Sequence, residues 1–157
     1  MSETMTIASS VRLAGRYVMQ GQRQTKRSCP TARIIIADDY AQWRTQVRSI
    51  LGARPDWQIV CEACNGLQAV LRAAELRPHL VVLDIAMPVV NGIEAAKQIR
   101  QGSPNSKIVF LTQNGDRETH AAALQTGAEG YVLKSQAGRD LVPSIAAALR
   151  DGDNHEP

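Results

Sequence analysis

The chain of 157 residues is 44% apolar, 21% charged and 4% aromatic, which suits one globular domain whose core is built from Ile, Val, Leu and Ala. No apolar run approaches the roughly 20 residues of a membrane span, and Cys29, Cys61 and Cys64 are too few and too unevenly placed for a disulfide framework, which points to a reducing cytoplasm. The net charge of +3 is unevenly spread: residues 1–33 hold six basic residues and one acidic residue, and the remainder holds 12 and 14, so the basicity belongs to a leader and does not mark the domain as a nucleic-acid binder.

Residues 1–32 are rich in Ser, Thr, Gln, Arg and Gly, and read as a poorly ordered leader with a short helical piece around Val11 to Met19. From Arg33 onward, strand and helix patterns alternate five times. The β-branched run Ile34-Ile35-Ile36-Ala37 precedes Asp38-Asp39, and Tyr40, Trp43, Val47, Ile50 and Leu51 then recur at helical spacing until Gly52. Trp57 to Ala63 alternates, with Trp57, Ile59, Cys61 and Ala63 on one face and Gln58 and Glu62 on the other, as an edge strand would.

Leu67, Val70, Leu71 and Ala74 predict the buried stripe of a second helix, stopped before Pro78. Leu80-Val81-Val82-Leu83 is an uninterrupted apolar run, the pattern of a strand buried on both faces, and it delivers Asp84 at its carboxyl end before Ile85-Ala86-Met87-Pro88 turns the chain. Ile93, Ala96 and Ile99 mark a third helix, ended by Gly102-Ser103-Pro104. Ile108 to Thr112 is the fourth strand, Arg117 to Gln125 a short helix, and Tyr131 to Lys134 the fifth strand. Leu141, Val142, Ile145, Ala148 and Leu149 build the last helix, and residues 151–157 form a polar tail.

Asn65-Gly66, Asn91-Gly92 and Asn114-Gly115 would signal hairpins between strands, but helical spacing follows each, so they read as strand-to-helix loops. The expected fold is α/β, a (βα)5 doubly wound parallel five-stranded sheet over residues 33–150.

In such sheets ligands bind outside the carboxyl ends of the strands. Those ends would deliver Asp38 and Asp39, Asp84, Thr112 and Lys134. Taken singly, each has a bland explanation: a helix cap, a turn aspartate, a β-favouring threonine, a solvated lysine. Together they form a set.

That set, in the wording Ile36-Ala37-Asp38-Asp39, Val82-Leu83-Asp84-Ile85-Ala86-Met87-Pro88 with Gly92, Phe110-Leu111-Thr112 and Gly130-Tyr131-Val132-Leu133-Lys134-Ser135, resembles the receiver domain of two-component response regulators over about Ala32 to Arg150. The last piece is closest to receivers of the branch that carries a LuxR-type helix-turn-helix, although no output domain follows it in this sequence. The resemblance implies a flavodoxin-like strand order 2-1-3-4-5 and a phosphoryl group taken by Asp84 from a histidine kinase or phosphotransfer protein. It implies Mg²⁺ held by Asp39, Asp84 and the backbone carbonyl of Ala86, with Asp38 acting largely through water.

The charges support this independently. Three carboxylates brought close together repel by roughly 4 kcal/mol per pair at 4 Å and an effective dielectric near 20, and a divalent cation plus Lys134 would balance them. The resemblance further implies that Thr112 and Tyr131 are the switch pair and that Ala86 and Asn114 flank the approach of hydrolytic water. The output is expected to be an altered protein-binding face built from the fourth helix, fifth strand and fifth helix, serving a downstream protein or a homodimer, with no direct nucleic-acid or membrane binding by this domain. The chain would be a signalling phosphoacceptor with at most self-phosphorylation and autodephosphorylation activity. The receiver half of a DNA-binding regulator, or a module that binds partners without phosphorylation, are the alternatives. Cys61 and Cys64 lack the partners of a zinc site or redox motif and are expected to pack in the core. His120 is expected on the surface.

Overall fold

The computed structural model describes residues 32–151; the leader with its expected helical piece, Cys29 and residues 152–157 lie outside them. Among the described residues, five strands alternate with five helices: β1 (Ala32–Ala37), α1 (Ala41–Leu51), β2 (Trp57–Ala63), α2 (Gly66–Leu76), β3 (Leu80–Leu83), α3 (Gly92–Gly102), β4 (Lys107–Thr112), α4 (Arg117–Gln125), β5 (Gly130–Leu133) and α5 (Ala137–Arg150). A single 3-10 turn, Lys134–Gln136, leads into α5. All neighbouring strands are parallel, in the order β2-β1-β3-β4-β5. This is the doubly wound sheet and strand order expected from the sequence.

The pleat sends successive side chains to opposite faces, so each apolar strand feeds two cores. Ile35, Ala37, Val81, Leu83, Ile108 and Phe110 meet Ala69 and Ala73 of α2, Ala95, Ala96 and Ile99 of α3 and Ala123 of α4. On the other face Ile34, Ile36, Leu80, Val82, Val109 and Leu111 meet Val47 and Leu51 of α1 and Leu141, Ile145 and Ala148 of α5. Each fully buried large aliphatic or aromatic side chain contributes about 1.5–3 kcal/mol relative to leaving it in water.

Two of the Asn-Gly pairs start helices. Asn65 and Asn91 are the N-caps of α2 and α3, their side chains accepting from the backbone N–H of Gln68 and Glu94. Asp116 does the same for α4 through the N–H of Thr119. At the far end of α2, the Arg33 guanidinium donates to the carbonyls of Leu76 and Arg77 and satisfies the open end of that helix.

Four expectations are corrected. In α2 the inward stripe is Gly66, Ala69 and Ala73, whereas Leu67 and Leu71 are 42% and 59% exposed. The helix packs so closely that a Cβ on Gly66 would lie 1.9 Å from the carbonyl oxygen of Val90, and only small side chains fit on that face. In β2 the register shifts between Ile34 and Ile35, which pair with Ile59 and Cys61 and leave Val60 as an extra residue. The expected single apolar face is therefore split: Trp57 and Ile59 pack towards α1 and α5, and Cys61 and Ala63 towards α2. Cys64 is exposed, its thiol donating to Gln68 Oε1, so only Cys61 packs against the core. Tyr40 caps α1 and is 64% exposed, outside that helix's buried stripe.

Candidate functional site

Asp38 and Asp84 directly follow β1 and β3, adjacent parallel strands that pair Ala37 with Leu83. The register alone therefore puts the two carboxylates side by side. Oxygens of Asp38, Asp39 and Asp84 all lie within 4.8 Å of one another, with Asp39 the most open of the three. Asp38 and Asp84 are 2% and 4% exposed, unusually deep for acids.

The loop after Asp84 is pinned over the site. Asp84 Oδ1 accepts from the Ile85 N–H at 2.8 Å, and the N–H of Gly92 donates to the Ile85 carbonyl at 2.8 Å. A Cβ on Gly92 would meet the Asp84 carbonyl oxygen at 2.0 Å, so glycine is required where α3 begins. On the β1 side, Asp38 Oδ1 accepts from the Tyr40 N–H, and Arg44 donates to the Asp38 carbonyl while pairing with Glu62.

Lys134 is the cation of the cluster. Expected as the last residue of the fifth strand, it stands instead at the first position of the 3-10 turn, one residue beyond the observed β5, and is 6% exposed. Its Nζ is 2.6 Å from Asp38 Oδ2 and 3.4 Å from Asp84 Oδ2. The shorter contact is an ion pair without hydrogen-bond geometry, and the longer one is a hydrogen bond. Burial pushes the Asp84 carboxyl up to about 6; the Lys134 charge opposes that shift and the neighbouring Asp38 charge adds to it.

One lysine does not neutralise three carboxylates, and a buried Asp39 oxygen has no hydrogen-bond partner at all. An orphaned buried acceptor is costly unless something fills it. A cluster of hard carboxylate oxygens with excess negative charge fits a divalent cation of the Mg²⁺ type.

Thr112 ends β4 and is 3% exposed. Tyr131 in β5 shares the face of the sheet that packs against α2, α3 and α4. Its hydroxyl donates to the Asn114 carbonyl at 2.8 Å, and its ring packs against His120 with centroids 4.5 Å apart, so the phenol is turned outward. His120 is exposed, as expected. Ala86 is exposed and lines a cleft of about 520 Å³ together with Ile93 of α3 and Ala122 of α4; Asn114 is also exposed.

Two residues here were not among the candidates read from the sequence. Arg44 holds the backbone of the acidic pair, and the ring of Trp43 lies 4.9 Å from Lys134 Nζ. Their helical positions signal only a surface arginine and a core tryptophan.

Residues 34–146 match the family described as the response regulator receiver domain. The chain belongs to the receiver domain family. It is 36% identical over 117 residues to the nitrate/nitrite response regulator protein NarL of Escherichia coli (strain K12), a match covering 74% of this chain and 54% of that protein. The receiver therefore spans about half the length of that curated relative. Among solved structures it is similar to a LuxR-family two-component response regulator from Aurantimonas sp., with a TM-score of 0.73, 35% identity, and coverage of 77% of this chain and 86% of that one. It is also similar to the isolated receiver domain of RcsB from Salmonella enterica serovar Typhimurium, determined with the phosphomimetic BeF3⁻, at a TM-score of 0.71 and 30% identity, covering 78% and 90% of the two chains.

Proposed function

We propose that this receiver accepts a phosphoryl group on Asp84 from a phosphohistidine of a histidine kinase or phosphotransfer protein and thereby switches a protein-binding face. The observation that carries the reading is the buried Asp84 carboxylate, flanked by the acidic pair and contacted by Lys134 at the carboxyl end of the sheet.

The hydrogen bond from Ile85 N–H orients Oδ1, leaving Oδ2 towards the lysine as the attacking oxygen. A new O–P bond forms to Asp84, the N–P bond of the donor breaks, and the imidazole nitrogen leaves with its electron pair. The Lys134 ammonium stabilises charge on the transferring oxygens. Asp38, Asp39, Asp84 and the carbonyl of Ala86 would hold Mg²⁺, which when bound offsets the charge of the carboxylates and of the phosphoryl group.

The acyl phosphate adds acceptor oxygens that the hydroxyl of Thr112 meets, and Tyr131 leaves its outward position as Thr112 moves. Ala86 and Asn114 flank the route of hydrolytic water. The altered face is formed by α4, β5 and α5 and is offered to a downstream protein or a second copy of the chain, in the cytoplasm.

The test is intact-mass measurement after incubation with Mg²⁺ and a small acyl phosphate. Wild type gains one phosphoryl group and Asp84→Asn gains none. A wild-type protein that stays unmodified while still binding a partner would refute the proposal.

A further inference from the structure

We propose that Trp43, on the first turn of α1, is a positioning residue for phosphoryl transfer: its ring face holds the Lys134 ammonium at the acidic cluster. The role in transfer rests on the reading of Asp84 given above. Trp43, Val47 and Leu51 stand four residues apart and form one stripe of α1 against the sheet. Val47 and Leu51 are 1% and 2% exposed core residues. Trp43 carries the stripe beyond the last strand residues and ends with its ring 4.9 Å from Lys134 Nζ, within cation–π range.

The Lys134 side chain is 4% exposed, so little water reaches it. The neighbours described for its ammonium are two carboxylates and this ring. The two carboxylates change during the reaction: Asp84 becomes an acyl phosphate, and Asp38 is drawn towards any cation held by the cluster. The ring takes no part in either change and is anchored on a helix. It is thus the constant neighbour that keeps a flexible four-carbon stem from swinging away just when its carboxylate partners are engaged elsewhere. A leucine would fill the same apolar stripe but presents no negative ring face to a cation.

The sequence has two tryptophans, Trp43 and Trp57, so Trp57→Phe isolates the emission of Trp43. In that background and without metal, Lys134→Met is expected to change the Trp43 emission spectrum by removing the ammonium from the ring face; an unchanged spectrum overturns the contact. In the second arm, phosphorylation by acetyl phosphate is expected to slow about five-fold in Trp43→Leu and to recover to within about two-fold of wild type in Trp43→Phe, at matched thermal midpoints. A Leu variant as fast as wild type, or a Phe variant as slow as Leu, overturns the positioning role. If wild type itself takes no phosphoryl group, the function proposed for Asp84 fails and the positioning role with it, while the emission arm still decides whether the ring holds the lysine.

Discussion

The two ends of the sheet treat buried polarity in opposite ways. At the amino end, Ser106 is fully buried, donates to the Pro78 carbonyl at 2.6 Å and shares a hydrogen bond with Ser103 at 2.7 Å. Glu129 accepts there from the Ile108 N–H at 2.7 Å and from Arg100 at 2.9 Å. At the carboxyl end, Asp38, Asp84 and Lys134 are just as deep, yet among the described residues the buried side-chain atoms lacking a hydrogen-bond partner are one oxygen each of Asp38 and Asp39. The amino end is a satisfied network that locks loops to strands. The carboxyl end keeps unmet electrostatic demand, which a cation and a phosphoryl group can answer.

Backbone strain follows the same division. Arg77 has a φ of 44° as the C-cap of α2, where a left-handed residue is usual. Val89 has a φ of 70° in the loop after Asp84, a conformation that β-branched residues rarely adopt, and its side chain is 74% exposed.

The largest stability effect expected from this contrast is a pH dependence confined to the carboxyl end. The Asp84 carboxyl titrates at about 6 in the folded protein against 3.8 in the unfolded chain. Between those values the folded state holds a proton that the unfolded state has lost, so unfolding free energy falls as pH rises through the window, by about 3 kcal/mol at most. Urea denaturation in EDTA at pH 4 and pH 7.5 measures the fall. Asp84→Asn should flatten it, and an equally steep fall in that variant would locate the titration elsewhere.

Next in size is Glu129→Ala, which leaves Arg100 and the Ile108 N–H without that carboxylate. A loss of about 2 kcal/mol in stability is expected, with phosphorylation by acetyl phosphate within two-fold of wild type. A variant that stays stable but phosphorylates slowly would erase the distinction between the two ends. The smallest effect is Val89→Gly, expected to stabilise by about 0.5–1 kcal/mol by relieving the left-handed valine at an exposed position; a drop in the thermal midpoint would show that the valine is not strained.

Much of this was legible in the chain. The apolar run Leu80 to Leu83 is buried at 0–1% exposure throughout, and Asp38, Asp84 and Lys134, read from the ends of their strands, come together with the lysine within ion-pair distance of both carboxylates. The helix faces were less legible. Leu67 and Leu71 share helical spacing with a core stripe, but the close approach of the Val90 backbone selects Gly66, Ala69 and Ala73 instead. The extra residue Val60 reverses the faces of β2 halfway along, and no local pattern announces it.

By itself, then, the sequence determined the alternation of strands and helices and the residues that stand at each strand's carboxyl end. Both are set by periods of two and 3.6 residues within a few neighbours, and the family motifs are written in the same short stretches. Only the tertiary structure decided which stripe of α2 turns inward, where β2 changes face, and that Trp43 covers Lys134. Those outcomes depend on distances between elements far apart in the chain, where a backbone oxygen or a single ammonium determines which side chain fits.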